Sequence, residues 1–259
     1  MNTNARLNGQ TALVTGAGRG VGKGIALALA RAGCNVAVNY NSSEGLAEET
    51  VSEIKQLGME ALAVRADVSS INEIKNMFEL VVDHFHRLNI MVNNAGVQTW
   101  KPLLELNEYD WDLVINTNLK GTFLCTQFAA NHMKDQGGGV IVNIGSGSNK
   151  LPFPHLSSYT ASKGGIEMLT RVAAVELGRF GIRVNCIAPG AIEIERTRLE
   201  DPNYAETWGK ITPLGRVGTP ADVGAAVVFL ASDDASFING QTIWVDGGLF
   251  TQAPWPYEK

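Results

Sequence analysis

A chain of 259 residues, 45% of them apolar, has the material for a sizeable hydrophobic core, which excludes a disordered protein. Its formal charge of -5 argues against nucleic acid or an anionic membrane as the main partner. No stretch reaches the ~18 apolar residues of a membrane span, and the opening MNTNARLNGQ lacks the apolar run of a signal peptide, so a cytoplasmic location is expected.

Short apolar runs then alternate with helical patterns. TALVTG (11–16) reads as a strand, and VGKGIALALARAG (21–33) as a helix with Ile25, Ala28, Leu29 and Ala32 on one face. NVAVNY (35–40) is the next strand, followed by a helix over about 44–57 with Leu46, Thr50, Ile54 and Leu57 on one face. ALAVRAD (61–67) leads to a helix over about 70–87 and then to NIMVNNAG (89–96). One long helix is predicted over about 108–134, ahead of the strand in GVIVNIGSGS (139–148). A helix from Ser157 to about Phe180 precedes GIRVNCIAPG (181–190); after a long loop and a helix near 220–231, QTIWVDGG (241–248) supplies a seventh strand. Near-continuous apolar strands separated by helices predict α/β architecture, a doubly wound parallel sheet covered on both faces. Nothing resembling a linker interrupts it, so residues 1–259 are read as a single domain. Cys34, Cys125 and Cys186 each lie in an apolar segment and are expected to be free thiols, and the four histidines form no spaced metal-ligand pattern.

In TGAGRGVG (15–22), Gly16, Gly18, Gly20 and Gly22 fall between the first strand and its helix, with Arg19 and Val21 interleaved. Glycine there permits a tight turn and brings backbone N–H groups close to a pyrophosphate at a helix N-terminus. A dinucleotide is the expected ligand, on a spacing that departs from the usual G-x-G-x-x-G. At the end of the second strand, Tyr40, Asn41 and Ser42 stand where a carboxylate would select NAD by accepting both ribose hydroxyls. With no carboxylate before Glu44, and with Arg19 available to a 2′-phosphate, the reading favours NADP(H) over NAD(H), although Arg19 in a turn is equally read as solvated. In SSYTASKGG (157–165), Tyr159 and Lys163 share one helical face. A phenol is a poor base near neutral pH, and an adjacent ammonium favours the phenolate, so the pair suits proton transfer. Gly164 and Gly165 are read as room for close approach of neighbouring backbone.

The glycine turn, NNAG (93–96), YTASK (159–163) and APG (188–190), in that order, resemble the classical short-chain dehydrogenase/reductase family from about residue 7 to 248. The resemblance implies a seven-stranded Rossmann fold and assigns roles. Tyr159 matches the general acid/base, Lys163 the lysine that holds the nicotinamide ribose, and Ser146 the serine that orients the substrate oxygen. Ser148 is a second candidate donor, and Asn118 matches the asparagine that bends the long helix and holds a water in the proton relay. Asp67 and Val68 match the pair flanking adenine; Asn93, Asn94, Ala95 and Gly96 match the loop beside the adenosine ribose. Pro189, Gly190 and Ile192 lie where the family borders the nicotinamide. Members often carry two serines after the strand; here Gly145 precedes Ser146, a departure expected to loosen the turn.

Residues 191–218 occupy the family's substrate-covering segment, and a loop of that length favours a lid. With Gln98, Trp100, His155 and Trp208, it predicts a polar, aromatic rim suited to a sugar or polyol, as in the glucose 1-dehydrogenase branch. The 3-oxoacyl-carrier-protein reductase branch is the alternative, kept open by Lys134 and Arg171, and a non-catalytic dinucleotide-binding regulator is the alternative of another class. The resemblance further implies a homotetramer built on the helices of about 108–134 and 157–180. The tail 249–259, with Trp255 and Tyr257, either packs on a neighbour in that assembly or frays.

Overall fold

The computed structural model describes residues 6–252. Seven strands form one sheet: β1 (Thr11–Val14), β2 (Asn35–Tyr40), β3 (Ala61–Arg65), β4 (Ile90–Asn93), β5 (Gly139–Ile144), β6 (Ile182–Pro189) and β7 (Thr242–Val245). All pairings are parallel, in the order β3-β2-β1-β4-β5-β6-β7. The chain winds outward from β1 in one direction and, from β4, in the other; that reversal opens a crevice at the carboxyl ends of the strands, where such sheets bind ligands.

The helices are α1 (Gly20–Arg31), α2 (Glu44–Gln56), α3 (Ile71–Phe85), α4 (Glu108–Val114), α5 (Gly121–Asp135), α6 (Ser157–Leu177), α7 (Glu195–Glu200), α8 (Tyr204–Ile211) and α9 (Pro220–Ala231). Strand alternation divides the core in two. Val14, Val36, Val38, Val92 and Val142 pack under Ile25 and Leu29 of α1, Ile54 of α2 and Val227 of α9. Leu13, Ala37, Met91, Ile141 and Val184 face Ile74 and Phe78 of α3, Leu124 and Ala129 of α5 and Ala173 of α6. Both faces are therefore dry, which is why the strands read as unbroken apolar runs. α1 and α9 cross closely because their facing residues are small: a Cβ on Gly24 would meet Pro220 at 2.3 Å, and one on Gly224 would meet Ala28 at 2.6 Å.

Four expectations need correction. The helix predicted over 108–134 is interrupted by a π-helical turn, Ile115–Lys120, between α4 and α5. The segment 191–218 carries α7 and α8, and its stems are joined: Gly218 donates to Ala191 O at 2.8 Å and Glu193 donates to Gly218 O at 2.9 Å. α2 ends at Gln56, so Leu57 falls past it and is 41% exposed, while Ala47, Thr50, Val51 and Ile54 form the buried face. A Cβ on Gly165 would meet the Leu119 side chain at 2.7 Å, and one on Gly164 would meet nothing within 4 Å, so neither glycine serves a backbone approach.

At the far stem of the 191–218 segment, Arg216 forks onto Asp222 at 2.8 and 2.9 Å, and Asp222 Oδ2 also accepts from Thr219 N–H, closing a capping box with Pro220 in the first turn of α9. The guanidinium holds the Asp222 carboxyl well below the ordinary carboxylate range. The folded state thus binds that proton more weakly than the unfolded chain, so the contribution to stability is complete above the ordinary carboxylate range and is lost as pH falls from that range towards the depressed value. All three cysteines are free and buried, and burial pushes the thiols of Cys34 and Cys125 up to about 12 and that of Cys186 to about 11. Among the described residues no helix is long and apolar enough to cross a membrane. Trp255 and Tyr257 lie outside the described residues.

Candidate active site

The glycine turn is held from three sides. Gly16 and Gly20 adopt left-handed backbone, φ +63° and +57°. Asn39, buried near the end of β2, accepts from Gly16 N–H at 3.1 Å through Oδ1 and donates through Nδ2 to Val64 O at 3.2 Å and Ala66 O at 3.1 Å. Asn94 Nδ2 donates to Thr15 O at 2.9 Å and Gly16 O at 3.2 Å, while Thr15 Oγ1 accepts from the Asn94 and Ala95 N–H groups. A Cβ on Gly22 would stand 2.3 Å from Gly16 O and 2.5 Å from Asn94 Nδ2. A Cβ on Gly18 would approach Ala47 N at 3.2 Å. Arg19 is exposed and extended at the start of α1, which has no side-chain cap. The first N–H groups of that helix therefore have no side-chain acceptor, and the turn fits a pyrophosphate, whose oxygens would satisfy them. Asn39 was missed by the sequence reading; an asparagine inside the apolar run NVAVNY is the signal that marks it.

At the end of β2, Tyr40 is half-buried, and Asn41 and Ser42 are exposed. Desolvation and the nearby Glu44 carboxylate push the Tyr40 phenol above its ordinary value. Arg65, in register with Tyr40, donates from Nε to Asn41 O at 3.2 Å and so brings a guanidinium to the end of β2. Asp67 Oδ1 accepts from Ser69 N–H at 2.8 Å, and Val68 is buried against Gly121. Asn93 turns away from this surface: its Nδ2 donates to Asn143 Oδ1 at 2.8 Å and Thr126 Oγ1 at 3.1 Å, in a buried seam between β4 and β5. Gly96 lies beside Asn118, whose Oδ1 would stand 3.3 Å from a Cβ there.

Tyr159 and Lys163 sit in the first turns of α6. Lys163 is only 4% exposed; its Nζ donates to Ile144 O at 2.7 Å and lies 5.5 Å from the centre of the Tyr159 ring. An ammonium taken out of water is costly unless hydrogen-bonded, and one carbonyl and one ring face leave donor capacity for a ligand. Ser146 follows β5 and caps the 3-10 turn Gly147–Asn149; its Oγ accepts from Ser148 N–H at 3.2 Å, which leaves its own O–H free to donate. Among the described residues Ser148 Oγ is buried without a partner.

Asn118, fully buried in the π-helical turn, clamps the neighbouring loop: Oδ1 accepts from Val97 N–H at 2.8 Å and Nδ2 donates to Val97 O at 2.9 Å. Its second amide hydrogen goes to Ser162 Oγ at 3.1 Å, and Ser162 donates on to Tyr159 O at 2.7 Å. Both amide hydrogens are thereby used, so the side chain joins this loop, the π turn and α6. A water in a relay would have to take the backbone carbonyl, which already accepts from Thr122 Oγ1 at 2.7 Å.

Gly145 is not slack space. A Cβ there would meet Cys186 Sγ at 2.8 Å and Asn149 Nδ2 at 3.1 Å, so this glycine and Cys186 are complementary. Gly145→Ser is expected to lower Tm and kcat, and adding Cys186→Ala to recover most of both; thermal melts and steady-state rates on the three variants check it, and a double variant no better than the single would refute the pairing. Gly147 plays the same part for Phe250, whose ring would lie 1.8 Å from a Cβ there. Phe250 meets Phe153 at 5.9 Å, and Phe153 meets Trp208 at 6.1 Å, so Trp208 packs into an aromatic row rather than standing free on a rim. Pro189 ends β6, Gly190 lies against Asp246, and Ile192 pairs with Gly218. Gln98 is half-buried, Trp100 is 59% exposed and His155 is exposed at φ +66°. Among the described residues none of these last three donates or accepts a side-chain hydrogen bond with Ser146, Tyr159, Lys163 or Asn118.

A family described as Enoyl-(Acyl carrier protein) reductase matches residues 16–250. The 3-oxoacyl-[acyl-carrier-protein] reductase FabG of Staphylococcus aureus is 44% identical over 241 residues, 93% of this chain and 98% of the relative. A putative gluconate dehydrogenase from Agrobacterium tumefaciens superposes with a TM-score of 0.91 at 38% identity, covering 96% of this chain and 99% of that one. A gluconate 5-dehydrogenase from Burkholderia cenocepacia, solved with NADP and tartrate, gives 0.90 at 35% identity over 96% of this chain and 98% of its own.

Proposed function

Because the chain belongs to the short-chain dehydrogenase/reductase family, and so to the NAD(P)-dependent oxidoreductases, we propose that it interconverts a secondary alcohol and a carbonyl of a sugar or polyol at Ser146, Tyr159 and Lys163. The observation that carries the chemistry is the buried Lys163 ammonium set against the Tyr159 ring with donor capacity to spare. Gly16 to Gly22 and Lys163 would hold NAD(P), which when bound would supply or accept the hydride. Tyr159 passes the proton to or from the substrate oxygen, and the free O–H of Ser146 donates to that oxygen and orients it. Lys163 holds the ribose and steadies the negative charge on Tyr159 as the proton leaves. Asn118 acts by holding α6 through Ser162.

A polyhydroxylated substrate is supported by the buried, unpartnered Ser148 hydroxyl two residues from Ser146, which needs a polar partner. The gluconate dehydrogenase likeness agrees with it. The second reading, a 3-oxoacyl thioester, is favoured by the FabG identity and by the apolar row Phe153–Trp208–Phe250. Purified protein assayed against aldoses, polyols and acetoacetyl thioesters separates them; turnover of thioesters alone would overturn the sugar reading. NADP(H) is the proposed cofactor, on Arg19 at the start of α1 and on Arg65, which ends β3 and bonds Asn41 just past β2. The kcat/KM for NADP(H) should exceed that for NAD(H), and a clear preference for NAD(H) would refute it. A cytoplasmic homotetramer is part of the same proposal: Phe123 on α5 and Met168, Val172 and Val175 on α6 are exposed apolar side chains on the helices such an assembly would pair.

A further inference from the structure

Tyr159, Lys163, Glu167 and Arg171 follow at four-residue steps along one face of α6. The first two carry the proposed chemistry, and the carboxylate and guanidinium behind them have no part in it. Glu167 Oε1 accepts from Arg171 Nη2 at 2.6 Å, and Glu167 Oε2 accepts from Asn149 Nδ2 at 3.1 Å, with the Glu167 side chain only 17% exposed.

Asn149 closes the turn that Ser146 opens, its N–H donating to Ser146 O at 3.0 Å. The Oδ1 of Asn149 is buried with no partner, so among the described residues the amide is oriented by Glu167 alone. This turn is the one flanked by Gly145 and interrupted by Gly147, and glycine gives a backbone more freedom than any other residue. A carboxylate on the Tyr159–Lys163 face thus reaches across to hold the backbone that carries Ser146.

We propose that Glu167, fixed by Arg171, is a positioning residue that ties the Ser146 turn to α6 through Asn149, and so sets Ser146 relative to Tyr159. It rests on the reading of Ser146 and Tyr159 as the reacting pair. A tie of this kind acts on the geometry of the reaction rather than on cofactor affinity, since neither Asn149 nor Glu167 touches the glycine turn.

Glu167→Ala and Asn149→Ala should each lower kcat by roughly 10- to 100-fold, the scale of a small misplacement of reacting groups. The Kd for NADPH, read by its fluorescence, should stay unchanged. Glu167→Gln keeps an acceptor for Asn149 and should restore most of kcat, and the double alanine variant should be no worse than either single one. The proposal is overturned if Glu167→Gln is as impaired as Glu167→Ala, if the two losses multiply, or if kcat is unchanged in both. Should Glu167→Ala fail to fold, Asn149→Ala decides alone: lost kcat at unchanged Kd supports the tie, and normal kcat removes it. An inactive Tyr159→Phe beside a normal Asn149→Ala refutes only the tie, whereas an active Tyr159→Phe refutes the reading beneath it.

Discussion

Tyr159→Phe is expected to lose roughly 10²- to 10⁴-fold in kcat, the span that a positioned acid/base contributes, while NADPH still binds. The substitution removes one oxygen and keeps the ring. The ring face is what Lys163 Nζ meets at 5.5 Å, and the ammonium keeps its bond to Ile144 O at 2.7 Å, so the buried charge is not stranded. The backbone carbonyl of residue 159 continues to accept from Ser162, leaving the link to Asn118 intact. Loss of turnover with an unshifted Tm and NADPH affinity is therefore the expected pattern, measured by steady-state kinetics, thermal melts and fluorescence titration. Near-normal turnover would remove Tyr159 from the chemistry.

The other large effect is expected from Gly22→Ala. A single methyl group would be placed 2.3 Å from Gly16 O and 2.5 Å from Asn94 Nδ2, and neither can retreat cheaply. Gly16 is pinned by Asn39, and the Asn94 amide is committed to Thr15 O and Gly16 O. Overpacking of this kind costs about 1–3 kcal/mol, and relief requires opening the turn proposed to take the pyrophosphate. A lower Tm together with an NADPH affinity reduced by an order of magnitude or more is expected. Gly45→Ala serves as the control: it lies in α2 with open space around it, and should be neutral or slightly stabilising. Equal behaviour of the two variants would show that the turn tolerates a side chain.

The seven strands were legible because burial on both faces leaves an unmistakable apolar run, and the positions of Gly16, Gly20, Ser146, Tyr159 and Lys163 were legible because each sits at a strand end or helix start. The π turn was not. INTNLK has ordinary helical composition; the resemblance placed a bend at Asn118, but its π form and the clamp of Asn118 to Val97, a contact across 21 positions, come only with the fold. The pairing of Gly145 with Cys186 was hidden for the same reason: a glycine that looked like a weak point is the space that a sulfur fills from the adjacent strand. Glu167 carries no motif of its own, and only the Asn149 amide placed beside it in the fold marks it. Short-range pattern reveals which residues face inward; it does not reveal which distant residue each one meets.

Asn39 has an implication for how this protein can change. It secures the glycine turn from within the sheet, one residue before Tyr40, Asn41 and Ser42 begin. On the proposed reading, the side chain that braces the phosphate turn is therefore distinct from those at the end of β2, while Arg19, which would meet a 2′-phosphate, belongs to the turn itself. Exchange of residues 40–42 leaves the Asn39 side-chain bonds to Gly16, Val64 and Ala66 in place, so that part of the proposed cofactor selection is open to redesign without disturbing the support of the turn.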